Sequence, residues 1–126
     1  MRGNDKTPAN AANPKPEVFD LTGTLRRLGG DINLLSDLVQ LYNEDSPALL
    51  NRLRSGVESH RGDEVRHAAH SLRGLAANFG AAPLMDSLLR MEAVATDGCW
   101  DEAPKLLEQV GEKSARLQAT LALHRR

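Results

Sequence analysis

The sequence predicts an all-α protein, and both its composition and the spacing of its apolar residues support this. Leu, Ala, Arg and Glu are abundant, whereas aromatic residues make up only 3% of the chain. Nowhere do β-branched and polar residues alternate, as they would in a strand with one buried face. Apolar residues instead recur at three- and four-residue steps, which places them on one side of a helix. With 126 residues, the chain has the size of one domain built around a single hydrophobic core.

The N-terminal segment differs in composition from the rest of the chain. Residues 1–16 contain three prolines and almost no large apolar side chains, so burial cannot offset the entropy lost on ordering. We predict that residues 1–16 form a disordered tail or an interdomain linker, and that residues 17–126 form the helical domain. The first helix of that domain is short, from about Asp20 to Leu28, because Gly29-Gly30 favours its termination.

A long second helix is predicted after Asp31, whose carboxylate can cap the first turn. Its apolar face consists of Leu35, Leu38, Val39, Tyr42, Leu49, Leu50, Leu53 and Val57. Pro47 interrupts this pattern, but the apolar phase resumes at Leu49, so we expect a kink rather than an end. The segment His60-Arg61-Gly62 is then predicted to form a turn.

Two more helices are predicted on either side of a turn at Gly80. The third starts with Asp63 as its cap and runs to about Phe79, and the fourth runs from near Pro83 to about Thr96. A fifth helix opens at Asp101, and its apolar stripe consists of Ala103, Leu107, Val110, Ser114, Leu117 and Leu121. Four long amphipathic helices joined by short loops predict an antiparallel four-helix bundle, with the first short helix as a lid or a side brace.

Charge and cysteine content exclude several classes of function. The formal net charge is -1, from 16 Lys and Arg against 17 Asp and Glu, so there is no basic excess for nucleic acid. The single cysteine, Cys99, excludes an internal disulfide framework and a cysteine-based zinc site, and it fits a reducing compartment. No apolar run approaches the roughly 18 residues of a membrane span. The N-terminus also lacks the apolar core of a secretory signal. We expect a cytoplasmic domain without direct membrane contact.

The third predicted helix carries a histidine on its outer face. With about 100° of rotation per residue, His70 lies opposite the apolar arc. That arc consists of Ala68, Leu72, Leu75 and Phe79, flanked by Val65 and Ala76. The outward face around His70 consists of Asp63, Arg66, His67, Arg73, Gly74 and Ala77. The histidine is therefore expected to be exposed in a polar and partly basic neighbourhood.

Arg73 and Gly74 indicate a function for this histidine. Arg73 lies three residues after His70, within reach of a group attached to the ring, and a guanidinium suits phosphate oxygens. Gly74 lies in the middle of a helix, where glycine costs up to about 1 kcal/mol relative to Ala. A missing side chain one turn from His70 would give another protein's surface access to the ring.

Glu92 is a further candidate, because it falls within the apolar arc of the fourth helix. That arc consists of Leu84, Met85, Leu88, Leu89, Met91 and Ala95. In an antiparallel hairpin His70 and Glu92 lie at similar heights, so Glu92 could accept a hydrogen bond from Nδ1 of His70 and leave Nε2 free as a nucleophile. The alternative is that Glu92 pairs with Arg66 or Arg73, or reaches water.

Two other kinds of site are less well supported by the sequence. His67 and His70, with Asp63 nearby, could contribute to a metal site, but no CxxC, HExxH or second ExxH unit supplies further ligands, and we expect none. There is also no Gly-rich phosphate loop and no kinase nucleotide-binding motif. We therefore expect a chain that is not an enzyme by itself and that must obtain a phosphoryl group from elsewhere.

The segment Ala69-His70-Ser71-Leu72-Arg73-Gly74, followed by Ala76-Ala77-Asn78-Phe79-Gly80-Ala81, resembles the signature of histidine-containing phosphotransfer (HPt) domains of two-component signalling. The resemblance covers most of residues 18–110. It implies that His70 takes a phosphoryl group from the aspartyl phosphate of one receiver domain and passes it to another. It further implies that Arg73 matches a basic residue, more often Lys, that steadies the phosphoryl oxygens. Gly74 would match the glycine that admits the receiver, and Glu92 a position where some relatives hold Glu or Gln.

The resemblance also implies partners. These would be response-regulator receiver domains and a sensor or hybrid histidine kinase, contacted partly through Arg66, His67 and Ala77. We expect a monomer with no cofactor of its own, because the Mg²⁺ would be held by the carboxylates of the receiver. Two alternatives stay open: a helical adaptor that docks receivers without carrying phosphate, and the substrate domain of a chemotaxis-type kinase phosphorylated directly from ATP. Two features depart from the family's pattern. Arginine in place of lysine at position 73 keeps the charge but changes the geometry of the donors, which leaves the role of Arg73 less direct than that of His70. His67, one turn earlier on the same exposed face, raises a second possibility.

Overall fold

The computed structural model describes residues 18–124 of the chain, and the tail predicted for residues 1–16 lies outside them. Five α-helices follow in order: α1 Leu21–Arg27, α2 Ile32–Glu58, α3 Gly62–Ala77, α4 Ala82–Asp97 and α5 Ala103–Leu121. Short 3₁₀ turns at Trp100–Glu102 and Ala122–His124 flank α5. There is no strand in the described part of the chain, and the all-α prediction is confirmed.

Two aspartates were predicted to cap the starts of helices, and only one of them does so. Asp31 caps α2 as predicted, because its carboxylate accepts a hydrogen bond from the Leu34 amide at 3.0 Å. The prediction that Asp63 caps α3 is wrong. The cap position is Arg61 and the helix begins at Gly62, two residues earlier than a cap at Asp63 would give, so Asp63 lies in the first turn, where it pairs with Arg66. Gly62 packs so closely on α4 that a Cβ atom there would lie 2.9 Å from the carbonyl oxygen of Ala95.

The four long helices surround one core. α2 contacts α3 and α5, and α4 contacts the same two helices on the other side. α2 runs without a break through Pro47, as the resumed apolar pattern predicts. The largest fully buried side chains are Tyr42, Phe79, Leu35, Leu53, Leu72, Leu84, Leu88, Met91, Leu117, Leu121, Val39 and Val65.

Two apolar positions differ from the predicted faces. On α5 Leu106 is buried and Leu107 is only partly covered. The two leucines flank the stripe of Ala103 and Val110 on opposite sides, so a projection of the helix alone does not decide which of them is buried. On α4 the residue Leu89 is 53% exposed, although the helical projection places it within the apolar arc. The neighbouring helices cover only part of that arc.

α1 braces the turn between α3 and α4. The Asp20 amide donates to the Phe79 carbonyl at 2.9 Å, and the side chains of Thr24 and Arg27 donate to the Asn78 carbonyl at 3.3 and 3.1 Å. These bonds satisfy carbonyls that the end of α3 leaves without helical partners. Of the two predicted roles for the short helix, the structure therefore favours the side brace.

An aromatic residue and a serine link α2 to α5 inside the core. The hydroxyls of Tyr42 and Ser114 lie 2.7 Å apart, and both residues are fully buried. The ring of Tyr42 packs edge-on against Phe79, with 6.0 Å between the ring centroids. Because buried polar groups are costly without a partner, these two hydroxyls depend on each other.

This dependence predicts a non-additive pair of substitutions. Tyr42→Phe and Ser114→Ala should each lower the free energy of unfolding by about 1 to 3 kcal/mol, because each leaves a buried hydroxyl without its partner. The double variant should cost less than the sum of the two single variants. Urea unfolding monitored by circular dichroism measures the three values. Strictly additive costs would contradict the proposed coupling.

The buried hydroxyl also predicts a pH dependence. Burial raises the pKa of Tyr42 above its ordinary value of 10.0, and the hydrogen bond with Ser114 lowers it in part. Tyr42 therefore ionises at a lower pH in the unfolded chain than in the folded one. Its contribution to stability is present below a pH of about 10 and is lost as the pH rises toward the folded-state pKa. Unfolding curves at alkaline pH should show a shallower loss of stability for Tyr42→Phe than for the unsubstituted chain, and identical slopes would refute this.

Candidate functional site

The buried face of α3 determines where its histidine lies. Val65, Ala68, Ala69, Leu72 and Ala76 are fully buried between the neighbouring helices. His70 lies on the other side of the helix, and 72% of its side chain is exposed. The outward orientation expected from the helical period is therefore observed, and the ring is open to another molecule.

Arg73 connects His70 to α4. Its Nη2 atom lies 3.1 Å from Nδ1 of His70, and its Nε atom donates to Oε2 of Glu92 at 2.7 Å. Nη2 also donates to Oε1 of Glu92 at 3.3 Å. The hydrogen bond and the charge of Glu92 raise the pKa of Arg73, so the guanidinium is a permanent cation beside the ring.

The direct hydrogen bond expected between His70 and Glu92 is absent. Nδ1 of His70 and Oε1 of Glu92 are 4.0 Å apart, beyond hydrogen-bonding distance. Glu92 is 19% exposed and takes Arg73 as its partner, which is one of the alternatives that the sequence left open. The helical projection correctly brings His70 and Glu92 to the same height, but it could not show that the arginine side chain lies between them.

Gly74 has no intramolecular neighbour that would require a glycine. It is exposed, and a Cβ atom built there would have nothing within 4 Å. Gly111 on α5 is half-buried, but a Cβ atom built there would likewise have nothing within 4 Å. The structure of the chain alone therefore does not explain the helix-weakening residue beside His70, and the proposed role in admitting a partner stays a prediction.

The other predicted contact residues surround the histidine unequally. His67 and Ala77 are exposed on the same face of α3, whereas Arg66 is half-buried and engaged by Asp63. Arg66 therefore does not offer a free positive charge. Within residues 18–124, no three His, Cys, Asp or Glu side chains are grouped so that they could hold a metal ion.

A groove lies between α2 and α3, and the sequence alone does not bring its members together. It is lined by Glu44, Asp45, Ala48, Leu49, Ser71 and Leu75. Ser71 follows His70 directly in α3, so the groove lies on the side of α3 about a quarter turn from the ring. The adjacent acidic residues Glu44 and Asp45 were visible in the sequence, but only the packing of α2 against α3 shows that they share a groove with Ser71 and Leu75.

None of the helices in the described residues combines the length and the apolarity needed to cross a membrane.

Comparison with curated protein sequences gives no match. Among solved structures, the chain is similar to the crystal structure of histidine-containing phosphotransfer protein B (HptB) from Pseudomonas aeruginosa PAO1. The TM-score is 0.77 at 24% sequence identity, and the match covers 83% of this chain and 91% of that chain.

The model of one protein family also matches the chain. The family is described as the Hpt domain, and the match extends over residues 37–123. These residues include the whole of α3, α4 and α5, and therefore both helices that contribute to the site. The chain thus belongs to the Hpt domain family and is a histidine phosphotransfer module of phosphorelay signalling.

Proposed function

We propose that His70 is the residue that carries the phosphoryl group, accepting it from the aspartyl phosphate of one receiver domain and passing it to the aspartate of another. The observation that carries this proposal is the exposed ring of His70 on an otherwise tightly packed helix, with a guanidinium 3.1 Å from one ring nitrogen. As a member of its family the chain is a phosphocarrier rather than an enzyme, and the donor supplies the phosphoryl group.

The chemistry requires alignment and charge neutralisation more than acid-base catalysis. Nε2 of His70 attacks phosphorus, the bond between phosphorus and the aspartate oxygen breaks, and the carboxylate leaves with the electron pair. Arg73 offsets negative charge on the phosphoryl oxygens, and Glu92 stabilises the positive charge that the ring acquires. Mg²⁺ belongs to the receiver, whose carboxylates suit it.

The partners are receiver domains and a sensor or hybrid histidine kinase. In this proposal the four long helices form an antiparallel four-helix bundle that presents His70 as a rigid platform from a cytoplasmic monomer. The groove between α2 and α3 gives a receiver a second contact, apolar at Ala48, Leu49 and Leu75 and acidic at Glu44 and Asp45, and the space above Gly74 lets its surface approach the ring. His67 and Ala77 lie within the same contact surface.

Phosphoryl transfer to His70 can be tested directly. The chain is incubated with a phosphorylated receiver domain and Mg²⁺, and the label is tested for the acid-labile, base-stable behaviour of phosphohistidine. His70→Gln should abolish the label, whereas His67→Gln should keep it. Labelling that survives His70→Gln would refute the assignment. Receiver binding without any label in the unsubstituted chain would favour the helical adaptor, and labelling by a kinase and ATP alone would favour the chemotaxis-type substrate domain.

The clearance above Gly74 predicts a selective effect on transfer. Gly74→Gln should leave the fold intact, because its side chain enters open space, and it should slow transfer from the receiver by about tenfold or more through misplacement of the partner. Gly111→Gln is the matched control, since it changes an equally unobstructed helical glycine on α5. Transfer rates measured by rapid quench give the comparison. Equal rates for the two variants would show that Gly74 is not needed for access.

A further inference from the structure

The contacts of Arg73 restrict the chemical state of His70. A guanidinium has five N–H donors and no acceptor, so the 3.1 Å contact between its Nη2 atom and Nδ1 of His70 is a hydrogen bond only if Nδ1 accepts. A neutral imidazole carries one proton. When Nδ1 accepts, that proton must be on Nε2.

This tautomer is not nucleophilic at either ring nitrogen. The lone pair of Nδ1 points into the guanidinium of Arg73, and Nε2 carries a proton where a lone pair would be needed for attack. The ring is thus 72% exposed but presents no free lone pair to an approaching phosphorus atom. The His70 ring is therefore accessible to a partner but not reactive in this arrangement.

Glu92 holds the arginine in this position. Nε of Arg73 is bound to Oε2 at 2.7 Å, while Nη2 lies between Oε1 of Glu92 and Nδ1 of His70, at 3.3 and 3.1 Å. Oε1 itself is 4.0 Å from Nδ1. If only Nη2 turns away, the bond through Nε can persist, and Oε1 becomes the acceptor nearest to Nδ1.

We propose that Arg73 holds His70 in a protected resting state, and that an incoming phosphoryl group activates the histidine by drawing Nη2 away from Nδ1 toward its oxygens. Glu92 then accepts a hydrogen bond from a protonated Nδ1, and Nε2 exposes its lone pair. This inference rests on the proposed function, because it takes His70 as the nucleophile. Arg73 and Glu92 act here as positioning residues for the ring.

The steps balance in protons and electrons. Nε2 releases its proton to water and Nδ1 takes one from water, so the ring stays neutral before attack. Nε2 then forms the bond to phosphorus with its lone pair, and the aspartate carboxylate of the receiver leaves with the electrons of the broken P–O bond. The ring becomes a cation whose remaining proton, on Nδ1, faces the Glu92 carboxylate.

The tautomer can be measured without any receiver. Correlation of ring protons with ring nitrogens in a ¹⁵N-histidine-labelled chain, at a pH well above the ordinary histidine pKa of about 6.5, shows which nitrogen is protonated. His70 is assigned by comparison with His70→Gln. We expect the proton on Nε2 in the unsubstituted chain and mainly on Nδ1 in Arg73→Met, which keeps the aliphatic stem but removes the donors. Arg90→Met, which replaces an exposed arginine of α4 that has no contact with His70 among the described bonds, should change nothing.

The reactivity of the ring provides a second measurement. Diethyl pyrocarbonate is an uncharged electrophile that modifies imidazole nitrogens, so its rate does not depend on charge neutralisation by Arg73. Mass spectrometry gives the rate at His70 relative to the exposed His67 of the same molecule. This ratio should rise about threefold or more in Arg73→Met, which corresponds to the loss of one modest hydrogen bond, and stay constant in Arg90→Met.

The outcomes separate this inference from the proposed function. A proton on Nδ1 in the unsubstituted chain overturns the protected state without requiring any variant to fold. An unchanged tautomer or an unchanged modification ratio in Arg73→Met overturns the role of Arg73. Failure of His70 to accept phosphate from a receiver would overturn the proposed function, but it would leave the measured tautomer and its dependence on Arg73 as they are.

Discussion

The buried face of α3 is the constraint on which the rest of the site depends. Its small residues, Ala68, Ala69 and Ala76, bring α2 and α4 close on two sides, and Leu72 fills the space between them. Rotating the helix enough to cover His70 would expose Leu72, at a cost of about 1.5 to 3 kcal/mol for that side chain alone. The exposure of the histidine is therefore a consequence of core packing on the opposite side of the same helix.

The pair formed by Arg73 and Glu92 links the His70 ring to α4. Glu92 is largely covered by its surroundings, and a carboxylate in that position needs a hydrogen-bonding partner. Arg73 supplies two donors to it and still directs one of them to His70. A lysine has a single ammonium on a flexible stem and could not hold both partners in the same planar geometry. An arginine at position 73 can therefore bind Glu92 and His70 at the same time, which a lysine there could not do in this geometry.

The sequence predicted the helices well and their exact surroundings less well. The cap at Asp31 and the continuity of α2 past Pro47 follow from local chemistry and from the apolar phase. The cap expected at Asp63 failed because Gly62 contacts α4, and the burial expected at Leu89 failed because no neighbouring helix covers that side. Both errors concern contacts between helices, which a projection of one helix does not contain.

The sequence by itself determined that the chain is helical and that His70 points away from the core, because the helical period fixes the relative directions of side chains within one element. It also placed Arg73 and Gly74 beside the histidine, since residues three and four apart share a helix face. Only the tertiary structure decided that Arg73, and not Glu92, contacts Nδ1. That choice depends on the height and separation of two packed helices, where a difference of about 1 Å determines which of two competing groups forms the hydrogen bond.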